Sequence, residues 1–205
     1  SISDVRAFHS TYYVPNNATL VLVGDFDTKI ARTHVEQYVG KVPAGKPVPR
    51  DIPKEPPHTA EERFTVTEPW PLPAVVVSYH ITNDGHPDAY PLHTVAKILS
   101  DGDSSRIYRS LVYEKQIAQS VSAQQYSLIL GSVFQIEATA RPGHTVEELE
   151  KAIEEELNAF RSAPVDASEV ERARNTIETN MIGGLERLGG FGGVADRLNS
   201  YNHYL

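Results

Sequence analysis

Apolar positions along the chain follow a two-residue period in some segments and a helical period in others. The two-residue period predicts strands at 74–81, 118–126 and 132–140, and a further strand is predicted at 63–67. The branched apolar run at 20–23 ends in Gly-Asp, which predicts a buried strand followed by a turn.

Helical spacing of apolar residues predicts the remaining elements, which lie at 4–13, 28–39, 90–99, 105–115, 146–160 and 167–188. Thr28 is the predicted cap of the second helix, while Thr145 with Glu148 and Asp166 with Glu169 have the spacing of capping boxes. Strands and helices in this order predict an α+β fold, in which helices pack against a mainly antiparallel sheet.

Prolines and glycines divide the chain. They concentrate between 43 and 57, where they disfavour regular backbone hydrogen bonding. We therefore expect three parts: the C-terminal piece of a first α+β domain at 1–43, a linker at 44–60, and a second α+β domain at 61–205. Because the sequence stops within a helical pattern, we expect this second domain to be truncated at its C-terminal end.

Composition excludes several classes of protein. The chain has 205 residues, 40% of them hydrophobic, which is globular composition. Acidic residues outnumber basic ones 27 to 19, which disfavours nucleic-acid binding. No apolar run approaches the roughly 20 residues of a membrane helix. The absence of cysteine excludes disulfides but leaves the compartment open, with the bacterial periplasm or cell envelope among the possibilities.

Histidine spacing gives little support to a metal site. Neither His-Glu-x-x-His nor His-x-x-Glu-His occurs in the sequence. His80, His86 and His93 could converge in space, although solvated or hydrogen-bonded side chains are the ordinary interpretation. The acidic stretch 101–105 is better explained as a helix N-cap than as a calcium loop, and the glycines at 189–193 as a helix break.

Two phrases of the sequence resemble the pitrilysin/insulinase family of zinc metallopeptidases, which includes mitochondrial processing peptidase. The first is Tyr-Tyr-x-Pro-x-Asn-x-x-Leu-x-x-x-Gly-Asp at 12–25, and the second is Gly-Asp-Ser-Ser-Arg-Ile-Tyr at 102–108. In that family the zinc-binding His-x-x-Glu-His helix and a distant Glu ligand precede the first phrase. The resemblance therefore implies zinc in the parent protein and no zinc ligand in this chain.

The family also holds the substrate backbone with an Arg and a Tyr that follow the second phrase. Here those positions are occupied by Val112 and Gln119. Valine offers no donor and glutamine has no phenol. We therefore predict no catalytic, substrate-binding or metal-ligating residue in this chain.

The resemblance implies a non-catalytic part of a zinc-dependent metallopeptidase, one that supports the domain architecture and the peptide chamber. The parent would hydrolyse peptides with a second homologous half or partner subunit, and this chain alone is not expected to be active. One alternative is a non-peptidase scaffold or partner subunit of the same family. Another is a binding module that shares only the fold, because fold alone does not fix function.

Overall fold

The computed structural model describes residues 1–52 and 56–204. The chain forms two compact units. One consists of Ser1–Val66 together with Gly184–His203, and the other is Thr67–Gly183.

A three-stranded antiparallel sheet forms the centre of the second unit. Its strands are β1 (Ala74–Ile81), β2 (Ala118–Tyr126) and β3 (Ser132–Ala140), in the order β1-β3-β2. These bounds are the predicted ones. In the middle of the sheet Ile136 of β3 lies between Val77 and Ala123. The central strand alternates between buried and more exposed side chains, so one face of the sheet is buried and the other is open.

Helices cover the buried face. They are α3 (Ala89–Ser100), α4 (Arg106–Tyr108, continued by a π-helical turn at Arg109–Glu114) and α5 (Val146–Ser162). The next helix, α6 (Ala167–Leu185), is joined to α4 by hydrogen bonds between Glu169 and Arg106. The core that α3, α4 and α5 form with the sheet includes fully buried aliphatic side chains from several elements, namely Leu99, Ile107, Leu111, Ile136, Leu149 and Ile153. Helices packed on a small antiparallel sheet confirm the predicted α+β class.

Local hydrogen bonds show the structural role of Ser105 in the second sequence phrase and of the predicted Thr145/Glu148 capping box. Ser105 is fully buried and its hydroxyl donates to the Gly102 carbonyl at 2.6 Å, which tightens the turn before α4. Thr145 and Glu148 form the predicted capping box at the start of α5, where the Thr145 Oγ1 accepts from the Glu148 N–H at 3.3 Å.

The first unit contains α1 (Ile2–Tyr12), a 3₁₀ turn (Pro15–Asn17), α2 (Thr28–Tyr38) and α7 (Val194–Tyr204). Two asparagines of the first phrase hold its loops together. The Asn16 Oδ1 accepts from the Gly45 N–H at 2.7 Å, and the Asn17 Oδ1 accepts from the Arg50 guanidinium at 2.8 Å.

Two predicted strands are wrong. The segments 20–23 and 63–67 form no strand. Leu20 and Phe64 are 57% and 82% exposed, while Val21 and Val23 are half-buried. An apolar run becomes a strand only when a neighbouring strand pairs with its backbone. Neither segment has such a neighbour within the described residues.

The cap of α2 and the end of α6 also differ from the prediction. Asp27 rather than Thr28 caps α2, because its carboxylate accepts from the Lys29 and Ile30 N–H groups at 2.8 and 3.0 Å. The helix that starts after Asp166 ends at Leu185 rather than near 188. Of the predicted linker, 44–52 and 56–60 form neither helix nor strand, and 53–55 lie outside the described residues.

Candidate functional site

Val112 is part of the core. It occupies the first of the two positions, called the clamp positions below, at which the family carries the Arg and the Tyr that hold the substrate backbone. It lies on the π-helical turn after α4, and only 8% of its surface is exposed. Its neighbour Leu111 is fully buried in the same cluster. Because this side chain is apolar and buried, the polar contact found at this position is made by the Val112 backbone carbonyl.

Gln119, the second position, lies at a β-bulge. Ala118 pairs with Ala140 and Ser120 pairs with Thr139, so the register shifts between them and Gln119 is the extra residue. Its side chain is exposed. The bulge turns this residue out of the regular ladder at the start of β2.

Arg141 joins the two positions through the backbone. Its Nη2 donates to the Val112 carbonyl at 3.2 Å, and its Nε donates to the Ala118 carbonyl at 3.1 Å. The Arg141 backbone N–H donates to the Ile117 carbonyl at 2.8 Å. The loop between the π-helical turn and β2 is therefore held in one conformation by a single guanidinium and its own backbone.

Arg141 lies in an Ala-Arg-Pro-Gly segment before α5, and the sequence analysis assigns it no role. Its role was missed because its acceptors are carbonyl groups 23 and 29 positions earlier in the chain. Backbone acceptors leave no residue-type signal in a sequence.

The same loop contains Gln116 in the left-handed region, with φ at +55°. This conformation lets the Ile117 N–H return to the Leu111 carbonyl at 3.0 Å, which ends the helical segment. A residue with a Cβ pays a conformational cost there.

The open face of the sheet, which we define by alternate residues of the three strands, lies beside this loop. It carries small, polar and a few apolar side chains: Ala74, Val76, Ser78, His80, Ser120, Ser122, Gln124, Tyr126, Val133, Gln135, Glu137 and Thr139. Val76 is 52% exposed and Tyr126 is 48% exposed. Glu137 is the only Asp, Glu, Lys or Arg among them.

The outer edge of β2 is closed at one point. The Ser100 hydroxyl, at the end of α3, accepts from the Ala123 N–H and donates to the Ala123 carbonyl at 3.2 Å. One side chain thus satisfies both backbone groups that would otherwise be open to another strand.

The histidines do not assemble into a metal site. Within residues 1–52 and 56–204, no group of three or more His, Asp or Glu side chains could hold a metal ion. The His86 Nδ1 accepts from the Asp88 backbone N–H at 3.2 Å. Partial burial, followed by the Lys97 ammonium, lowers the pKa of His93. The His, Asp and Glu side chains of the described ranges are therefore not arranged as a zinc site.

Known proteins match this chain in sequence and in fold along most of the chain's own length. A family model described as the Peptidase M16 inactive domain matches residues 1–177. The chain belongs to the M16 peptidase family. Among M16 relatives, the zinc protease PqqE of Helicobacter pylori is 26% identical over 191 residues, which cover 91% of this chain and 43% of that protein.

Solved structures of M16 proteins share the fold. A protease from Helicobacter pylori matches 100% of this chain and 49% of its own with a TM-score of 0.86 and 24% identity. A putative zinc protease from Bordetella pertussis matches 58% of this chain and 65% of its own, with a TM-score of 0.52 and 28% identity. The chain spans less than half the length of the curated M16 relative.

These matches confirm the predicted family, the α+β fold and the interpretation of the chain as a non-catalytic part of an M16 zinc protease-like protein. No helix in the described part of the chain is both long and apolar enough to cross a membrane.

Proposed function

We propose that this M16 inactive domain forms part of the wall of a peptide chamber in a zinc-dependent metallopeptidase, whose hydrolytic chemistry is supplied by another segment or subunit. The observation that carries the proposal is the open face of the sheet, which is exposed and almost free of charge next to the loop of Val112 and Gln119. An exposed, nearly uncharged sheet face of this kind can accommodate an extended polypeptide. Its described residues hold no group of His, Asp and Glu side chains arranged to bind a metal ion.

The two clamp positions support a non-catalytic role. Val112 is buried and Gln119 has no phenol, so neither side chain can replace the family's Arg and Tyr. The chain would contribute surface and architecture, while zinc and the general base Glu would act from outside it.

The first unit supports the need for a second polypeptide segment. No side chain in 1–52 or 56–66 is buried, and the apolar residues Ile2, Val5 and Phe8 of α1 are 69%, 62% and 58% exposed. Apolar helix faces are normally covered in a folded domain. A homologous zinc-bearing half or partner subunit of the M16 type would cover them.

Peptide hydrolysis by reconstituted mixtures tests the proposal. The chain would be assayed against a quenched fluorescent peptide alone, then with a zinc-bearing M16 segment from the same organism, each with and without a zinc chelator. We expect no hydrolysis by the chain alone and chelator-sensitive hydrolysis by the complex.

Two results would contradict the proposal. Hydrolysis by the chain alone would show that it is catalytic, and full activity of the zinc-bearing segment without this chain would show that the chain is not needed. A stable complex that hydrolyses nothing would instead favour the scaffold alternative.

A further inference from the structure

Glu137 occupies an unusual position on the open face of the sheet. It lies on the central strand β3, between Val76 of β1 and Ser122 of β2 in the observed pairing. Its side chain is exposed. Neither cross-strand neighbour is charged, and no ion pair to Glu137 is found within residues 1–52 and 56–204.

The surrounding surface is poor in charge for an exposed sheet face. Solvated faces of antiparallel sheets usually carry polar and charged residues of both signs. Here residues 116–136, which include all of β2 and the turn to β3, contain no Asp, Glu, Lys, Arg or His. The other titratable groups on the face, His80 and Tyr126, lie beside Val133, four residues along β3 from Glu137.

An extended peptide on this face would meet Glu137 directly. Its side chains would point towards the sheet at every second residue, because that is the period of an extended chain. A Lys or Arg at such a position would be attracted by the Glu137 carboxylate, whereas an Asp or Glu would be repelled, and neither effect would be cancelled by a neighbouring side chain.

We propose that the open face prefers extended peptides that carry a basic residue, and that Glu137 is the residue that sets this preference. This inference rests on the proposed function, in which the same face lines a peptide chamber. Glu137 acts here on which peptide is bound and takes no part in bond cleavage.

Fluorescence anisotropy with three labelled peptides tests the inference. The peptides would have the same length and the same uncharged, unstructured flanks, with Lys, Gln or Glu at the centre. They would be titrated with the chain, and with its complex with the zinc-bearing segment where that complex forms. We expect the Lys peptide to bind about threefold to fivefold more tightly than the Gln peptide, which is the size of a solvent-exposed ion pair.

Variants of this residue give the sharper result. Glu137→Gln removes the charge and is expected to make the Lys and Gln peptides bind equally, while Glu137→Lys is expected to reverse the order so that the Glu peptide binds most tightly. Glu147→Gln, which removes an exposed acid from α5, is the matched control and should leave the preference unchanged.

The outcomes separate this inference from the proposed function. If all three peptides bind equally and Glu137→Gln changes nothing, the preference is refuted while a peptide-binding wall remains. Loss of the preference in Glu147→Gln as well would assign it to net charge and would refute the role of Glu137. If no peptide binds the chain or the complex, both proposals fail.

Discussion

Arg106 and Glu169 form a bidentate ion pair across 63 positions of sequence, with Nε–Oε1 at 2.7 Å and Nη2–Oε2 at 2.6 Å. The Arg106 guanidinium also lies 5.0 Å from the centre of the Phe160 ring. These contacts join the start of α4 to α5 and α6. The arginine of the second sequence phrase therefore fixes helices that lie far along the chain.

Breaking this pair is expected to destabilise the second unit. Both side chains are 22% exposed, which is between a surface pair and a buried one. We expect Glu169→Gln to lower the free energy of unfolding by about 1–3 kcal/mol, because Arg106 then keeps its charge without its partner. Urea unfolding followed by circular dichroism measures the change.

Arg174→Gln is the matched control for that experiment. Arg174 lies 3.7 Å from Glu178 on the same helix, and both side chains are 62% exposed. We expect Arg174→Gln to lower the free energy of unfolding by less than about 0.5 kcal/mol, as for other exposed ion pairs. Equal losses in the two variants would show that the Arg106 pair has no special role.

The same pair predicts a pH dependence. The Arg106 hydrogen bond is the main cause that lowers the pKa of Glu169, and burial partly opposes it. A lowered pKa in the folded state stabilises the fold above the unfolded pKa of about 4.3, and this contribution is lost as the pH falls through the folded pKa. The difference in free energy of unfolding between the native chain and Glu169→Gln should therefore be large at pH 7 and small towards pH 3. A difference that stays constant over this range would contradict the assignment.

Replacing Gln116 by glycine is expected to stabilise the chain. Its φ of +55° is costly for a residue with a Cβ and free of cost for glycine. After allowing for the greater freedom of glycine in the unfolded chain, we expect Gln116→Gly to raise the free energy of unfolding by about 0.5–1 kcal/mol. Gln124→Gly, in the regular part of β2, should have the opposite sign in the same urea titration.

Restoring the family's clamp residues should have unequal effects. Val112→Arg would place a charge in the core and is expected to cost about 2–4 kcal/mol, whereas Gln119→Tyr at the exposed bulge should change stability by less than about 0.5 kcal/mol. Thermal unfolding of the two single variants measures the difference. A stable, cooperatively unfolding Val112→Arg variant would show that this loop can still accept the clamp arginine.

The predicted strands show what a local pattern can and cannot determine. The bounds of β1, β2 and β3 follow from alternating residues that pack on a common core and pair with one another. The pattern at 20–23 is at least as apolar, yet it forms no strand. Sequence periodicity describes the faces of a segment and contains no information about whether a partner strand is available.

Long-range side-chain contacts were harder to predict from the sequence than the strands. The capping-box spacing of Asp166 and Glu169 was recognisable, and the Glu169 carboxylate does accept from the Asp166 N–H at 3.1 Å. Its stronger partner, Arg106, belongs to a distant phrase, and the acceptors of Arg141 are backbone carbonyls. Such long-range contacts depend on the packing of the helices, which no single segment encodes.

The Ser100 hydroxyl has a consequence for aggregation. It occupies the backbone N–H and C=O of Ala123 and so obstructs the outer edge of β2, which leaves the other side of the sheet, β1, for any further strand. Fibrils grow when a sheet can be extended from both sides, because each added molecule then offers a fresh edge. With one side obstructed, edge-to-edge pairing of two molecules through β1 would end at a pair and could not propagate into a fibre.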